Sequence, residues 1–89
     1  MKFEFIQIDK YSPVPLYEQL KSCLIKAIRS GTLIPGQKLP TEEELCRKFG
    51  ISRPVVRQAY GELNKLGLLE RKRGSGSFVR ANTDRGIFL

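Results

Sequence analysis

Thr41-Glu42-Glu43-Glu44-Leu45-Cys46-Arg47-Lys48-Phe49-Gly50-Ile51-Ser52-Arg53-Pro54-Val55-Val56-Arg57-Gln58-Ala59, continued to Leu66, reads as two capped helices split by a three-residue break, Gly50-Ile51-Ser52. Thr41 with Glu44 three residues on is a capping box, and three carboxylates suit the positive end of a helix dipole. Leu45, Cys46 and Phe49 mark its buried stripe, and Gly50 ends it after barely two turns. Ser52 caps the next helix, with Pro54 tolerated in its first turn. Val56, Ala59, Leu63 and Leu66 recur at spacings of three, four and three, so they are expected to face inward. Gly67 stops that helix.

Arg53 and Arg57 stand one turn apart at the start of the second helix. Like charges at i,i+4 repel, and cations at a helix N-terminus oppose the macrodipole. No compensating partner stands out in the local sequence. A local rule broken in this way points to a working surface. A polyanion would relieve both penalties, and nucleic acid is the obvious one.

Composition agrees with that reading. The 89 residues suffice for one small domain, and 16 Lys plus Arg against 9 Asp plus Glu leave a net charge of +7. Residues 51–89 hold 8 basic and 3 acidic side chains, so the surplus coincides with the second helix of the pair and the residues after it. This is the electrostatic footprint of DNA or RNA binding, although charge alone would also suit a solvated face or a weak membrane-surface patch. Two cysteines, Cys23 and Cys46, with no histidine, cannot make a four-ligand zinc site. They are expected as buried free thiols in a reduced, cytoplasmic protein. No signal peptide or membrane-spanning run is visible.

Outward from the central stretch, residues 1–12 read as an N-terminal arm, with Phe3, Phe5, Ile6 and Ile8 as a short strand or a packed lead-in. Pro13 and Pro15 set a helix entrance, and apolar residues at Leu16, Leu20, Cys23, Leu24, Ala27 and Ile28 predict a first helix over 16–30. Gly31 is its stop. Residues 32–40 form a loop with a turn at Pro35-Gly36, within which Gln37-Lys38-Leu39 can supply one short strand. After Gly67, Leu68-Leu69, then Glu70-Arg71-Lys72-Arg73, Gly74-Ser75-Gly76-Ser77 and Phe78-Val79-Arg80 read as a hairpin around a Gly-Ser turn. The fold class is therefore mainly α with a small β-hairpin, three helices and the hairpin making one domain over residues 13–80, followed by a linker at 81–89.

A short helix, a glycine-bearing break and a longer helix make a helix-turn-helix, whose second helix is sized for the DNA major groove. Its N-terminal residues normally meet base edges. Here these are Ser52, Arg53, Pro54, Val55 and Arg57. Arginine can grip guanine O6 and N7 with two hydrogen bonds, so Arg53 is the first candidate for base reading and Arg57 the second. Gln58 suits a base or a phosphate, and Val55 a thymine methyl. Arg71, Lys72 and Arg73 lead into a turn whose glycines, Gly74 and Gly76 around Ser75, let backbone approach a duplex closely. Arg73 is placed for a minor groove or a phosphate. The glycines do not form a nucleotide-binding loop, which needs a third glycine and a following helix.

The ordered series Pro15-Leu16-Tyr17-Glu18-Gln19-Leu20, Ser30-Gly31, Pro35-Gly36, Lys38-Leu39-Pro40-Thr41-Glu42, Gly50-Ile51-Ser52-Arg53, Val56-Arg57-Gln58-Ala59, Gly67-Leu68-Leu69 and Gly74-Ser75-Gly76-Ser77-Phe78-Val79 resembles the GntR family of bacterial transcriptional regulators. The resemblance covers residues 15–79. It implies a winged helix-turn-helix that binds a palindromic double-stranded DNA operator as a homodimer, with contacts from Arg53, Arg57 and the wing tip, Arg73 to Gly76. It also implies a C-terminal domain that binds a small-molecule effector, for which this chain has no room, so the apolar Ile87-Phe88-Leu89 is expected to mark where that domain begins. Three positions depart from the family pattern. Glu43 stands where many members have a DNA-contacting arginine, Ser75 where the wing is often basic, and Val55 where threonine is common.

The leading expectation is a DNA-binding domain of a ligand-responsive repressor. A winged-helix module for protein interaction is the alternative, separable by its weaker salt dependence. An enzyme is not expected, because no histidine, no nucleophile beside a base and no metal-ligand cluster is present. No cofactor, metal or membrane partner is expected.

Overall fold

The computed structural model describes residues 4–80, so the expected linker at 81–89 and the residues Met1 to Phe3 lie outside the described residues. Three helices come first, α1 (Leu16–Ser30), α2 (Glu42–Phe49) and α3 (Arg53–Lys65), then the hairpin strands β1 (Leu69–Lys72) and β2 (Gly76–Val79). The protein is a winged helix-turn-helix, and α3 is its hub, packing on α1, α2 and β1.

Each helix ends for a local reason. Gly31 follows α1 in the left-handed region at φ 86°, a conformation that glycine adopts without steric cost. At the start of α2 the capping box is complete: the Thr41 hydroxyl accepts from the Glu44 amide at 3.1 Å, and the Thr41 amide donates to the Glu44 carboxylate at 2.9 Å. Gly50, at φ 66°, donates its N–H to the Cys46 carbonyl at 2.9 Å and closes α2. The break then lasts only Gly50-Ile51-Ser52, with Ile51 buried as the pin between the two helices. Ser52 caps α3 by accepting from the Val55 amide at 3.4 Å. At the far end, Leu68 N–H reaches the Leu63 carbonyl and Gly67 N–H that of Asn64, the Schellman pattern.

The core is one cluster. Leu20, Leu24 and Ala27 of α1, Leu45 of α2, and Val56, Ala59, Tyr60 and Leu63 of α3 meet Leu69 and Val79 of the hairpin. Ile6 of the arm is buried too, so the lead-in packs as irregular chain rather than as a strand. The expectation that Leu66 faces inward is corrected: it is 59% exposed, and Tyr60 fills the core instead. Leu66 is the C-cap residue, where the chain leaves the helix at Gly67 and Leu69 takes over the burial. Cys23 and Cys46 are free thiols but half-buried rather than buried. Cys23 Sγ accepts from the Gln7 amide at 3.4 Å and so helps to hold the arm.

Gln37-Lys38-Leu39 does supply a third extended piece. Lys38 bridges Phe78, Leu39 N–H donates to the Ser77 carbonyl at 2.8 Å, and Val79 N–H to the Gln37 carbonyl at 2.9 Å. β2 is thereby bonded on both sides, to β1 and to the loop that feeds α2. The hairpin turn sits earlier than the Gly-Ser run suggests. It occupies Arg73-Gly74-Ser75, while Gly76 and Ser77 already belong to β2, paired with Lys72 and Arg71.

Candidate nucleic-acid interface

The cap at Ser52 sets where α3 begins, and so which side chains lead it. Ser52, Arg53, Pro54, Arg57 and Gln58 are exposed. Val55 is half-buried and packs against the core, which limits what it can offer a thymine methyl. The Gln58 amide lies by Glu62, where it favours that carboxylate's charge. Arg53 and Arg57 therefore dominate the leading face of α3.

These two arginines are not without compensation. Arg57 Nε donates to both carboxylate oxygens of Glu42 at 3.2 Å, and Arg53 Nη1 lies 3.6 Å from Glu42 Oε1. Glu42 is the first residue of α2, so one anion bridges two cations of the neighbouring helix. Glu43 pairs separately with Arg47 on its own helix, and Glu44 closes the capping box. Helix chemistry accounted for all three acids in the sequence; the missing signal was that a three-residue break brings the start of α2 against the start of α3.

Tyr60 fixes this geometry from beneath. Its phenol donates to the Pro40 carbonyl at 2.6 Å, tying α3 to the residue before the cap of α2. Burial pushes its ionisation well above the ordinary value of 10.0, and the nearby Glu44 and Glu42 carboxylates push the same way. Between α1 and α3, Lys21 meets Glu62 at 2.8 Å. That hydrogen bond raises the Lys21 pKa and lowers that of Glu62.

The wing supplies the second charged surface. Arg71 and Lys72 on β1, and Arg73, Gly74 and Ser75 in the turn, are all exposed, as is Gly76 where β2 begins. The Ser75 amide donates to the Lys72 carbonyl at 2.8 Å and closes the turn. The Lys72 ammonium lies 4.9 Å from the Phe78 ring centre, which holds it to the hairpin face. Lys38, absent from the sequence candidates, joins this group. A Cβ on Gly76 would stand 3.2 Å from Lys38 Cε, so the lysine stem crosses the wing there. A groove of about 330 Å³ runs between the α2 start and the wing, lined by Thr41, Glu42, Tyr60 and Arg71 to Arg73 among others. The open groove runs from the basic hairpin to Glu42, on which the two exposed arginines of α3 rest, and this arrangement suits a duplex better than a small molecule.

A family model described as bacterial regulatory proteins, gntR family, matches residues 16–79. The HTH-type transcriptional repressor NagR of Bacillus subtilis is 46% identical over 74 residues, covering 83% of this chain and 30% of that protein. The arabinose metabolism transcriptional repressor of Geobacillus stearothermophilus is 47% identical over 70 residues, covering 79% of this chain and 19% of that protein. The chain thus spans less than a third of the length of these curated relatives. Among solved structures, the AraR DNA-binding domain in complex with operator ORX1 superposes with a TM-score of 0.75 at 38% identity, over 83% of this chain and 95% of that one. YtrA from Sulfolobus acidocaldarius, a GntR-family transcription factor, gives 0.80 at 32% identity, over 86% and 81%.

Proposed function

The chain belongs to the gntR family of bacterial regulatory proteins, a family of DNA-binding transcription regulators rather than enzymes, and from that premise we propose that it reads an operator sequence with α3 in the major groove and the wing in the adjacent minor groove. The observation that carries this reading is the exposure of Arg53 and Arg57 at the leading end of α3, on the same molecule as a basic wing. Arg53 and Arg57 take guanine edges. Ser52 and the exposed start of α3 approach the backbone, and Arg71, Lys72 and Arg73 hold phosphates or enter the minor groove. Gly74, Ser75 and Gly76 let the wing tip come close.

The whole protein, on this reading, is a cytoplasmic repressor that binds a palindrome as a homodimer, its half-sites about one helical turn (~34 Å) apart. A small-molecule effector bound by a further domain alters the spacing of two such units and releases the operator. Solved relatives bound to operators support double-stranded DNA as the partner.

Selection of bound duplexes from a random pool tests the reading, followed by titration at several salt concentrations. An enriched motif is expected, together with a log-affinity slope of ~0.9 per phosphate contact against log salt. A pool that returns no enriched motif would overturn sequence reading. A shallow salt slope would overturn the phosphate contacts.

A further inference from the structure

Glu42 sits where a DNA-binding surface has least use for an anion. It is half-buried at 27% exposure, while Arg53 and Arg57 above it are 55% and 61% exposed. Its position is fixed three ways: by the α2 capping box, by the Tyr60–Pro40 hydrogen bond and by the positive end of the helix. The acid forms a floor, and the two arginines lean on it from the neighbouring helix.

We propose that Glu42 is a specificity-determining positioning residue, which holds Arg53 and Arg57 in a shared ionic bridge aimed at base edges and biases them against phosphate. This rests on the DNA-reading function proposed above. Arginine side chains carry much rotamer freedom, and a fixed carboxylate removes part of it before binding. Both Arg57 hydrogen bonds to Glu42 run from Nε, so the two terminal nitrogens remain for a base. Arg53 is held more loosely, by an ion pair at 3.6 Å, and keeps room to adjust. The carboxylate also repels any phosphate that takes the place of a base edge. Specificity is a difference between affinities, and a repulsive element widens it.

The test compares the wild-type chain with Glu42→Gln, Glu42→Asp and Glu43→Gln. Each is titrated against a duplex enriched from a random pool and against a scrambled duplex of the same composition, at several salt concentrations. Glu42→Gln is expected to raise affinity for the scrambled duplex by about threefold and steepen its salt dependence. Its preference for the enriched duplex is expected to fall by about tenfold. Glu42→Asp keeps a first-turn acid but withdraws the carboxylate by one methylene, so its preference falls as well. It decides the matter if the Gln variant melts early. Glu43→Gln removes the same charge one residue away and is expected to keep the wild-type preference. Unchanged preference in both Glu42 variants would overturn the proposal, as would an equal loss in Glu43→Gln, which would mark a general charge effect. If the wild-type chain fails to prefer the enriched duplex, the DNA-reading function falls first and this proposal with it.

Discussion

Tyr60 and Pro40, twenty residues apart, are joined by a 2.6 Å hydrogen bond from a buried phenol to a backbone carbonyl. This bond sets α2 against α3, and with them the carboxylate of Glu42 against the two arginines. Tyr60→Phe leaves that carbonyl unpaired in the interior, at a cost of about 1–3 kcal/mol. A lower midpoint in chemical denaturation, with an unchanged slope, is the expected result.

Tyr60 also makes a prediction in alkali. Its folded pKa lies above the ordinary value of 10.0, so the folded state keeps its proton where the unfolded chain releases it. Stability from this group is whole below pH 10 and declines as pH rises beyond it. Thermal melts across that range should fall in the wild type and decline less in Tyr60→Phe. Equal declines would show that the phenol is not the cause.

The Lys21–Glu62 pair defines a wider window. Glu62 is held below its ordinary 4.5 and Lys21 above its ordinary 10.5, each chiefly by the hydrogen bond between them. The contribution of Glu62 is present above its ordinary value and is lost as pH falls through its lowered one. That of Lys21 is present below its ordinary value and is lost as pH rises through its raised one. Denaturation midpoints of the wild type and Glu62→Gln should therefore differ near neutrality and converge in acid.

Leu63 is fully buried where α3 meets the rest of the core. Leu63→Ala should cost about 2–5 kcal/mol, a large part of the ~5–15 kcal/mol expected of a small domain. A sharply lowered melting temperature checks it. The same change at the exposed Leu66 should move the melt little.

Arg53→Ala and Lys72→Ala should fail in different ways. The first is expected to lose ~1–3 kcal/mol of discrimination at one base position while non-specific binding persists. The second should weaken every duplex alike and lower the salt slope by about 1. Competition titrations against single-base variants of the enriched duplex separate the two.

Much of this was legible in the chain because it is written locally. The bounds of α1 follow from Pro15 and Gly31, those of α2 from Thr41 and Gly50, and the start of α3 from Ser52. The three helices and the hairpin were readable from such local signals, and the family resemblance added their winged arrangement. What escaped was everything set by contacts between distant residues. The ionic bridge links Glu42 to an arginine fifteen positions on, and no periodicity reports such a meeting. Lys38 reaches the wing only because its loop pairs with β2. Leu66 matched the apolar spacing of α3, yet the helix had already ended, and a spacing rule does not register where a chain turns away. Which arginines lead α3 was legible; what steadies them was not.

The pairing of residues 37–39 with β2 has a consequence for the duplex itself. A hairpin held only by its own turn can hinge freely, whereas this one is fastened along its β2 edge to the segment that leads into α2. The hairpin is thereby tied to the start of α2, which packs on α3, as well as to α3 itself through β1. If α3 and the wing take adjacent grooves as proposed, a duplex is measured as by calipers: its groove widths and helical pitch enter the match beside its bases. On the proposed reading, stretches with the right letters but the wrong curvature are expected to be turned away.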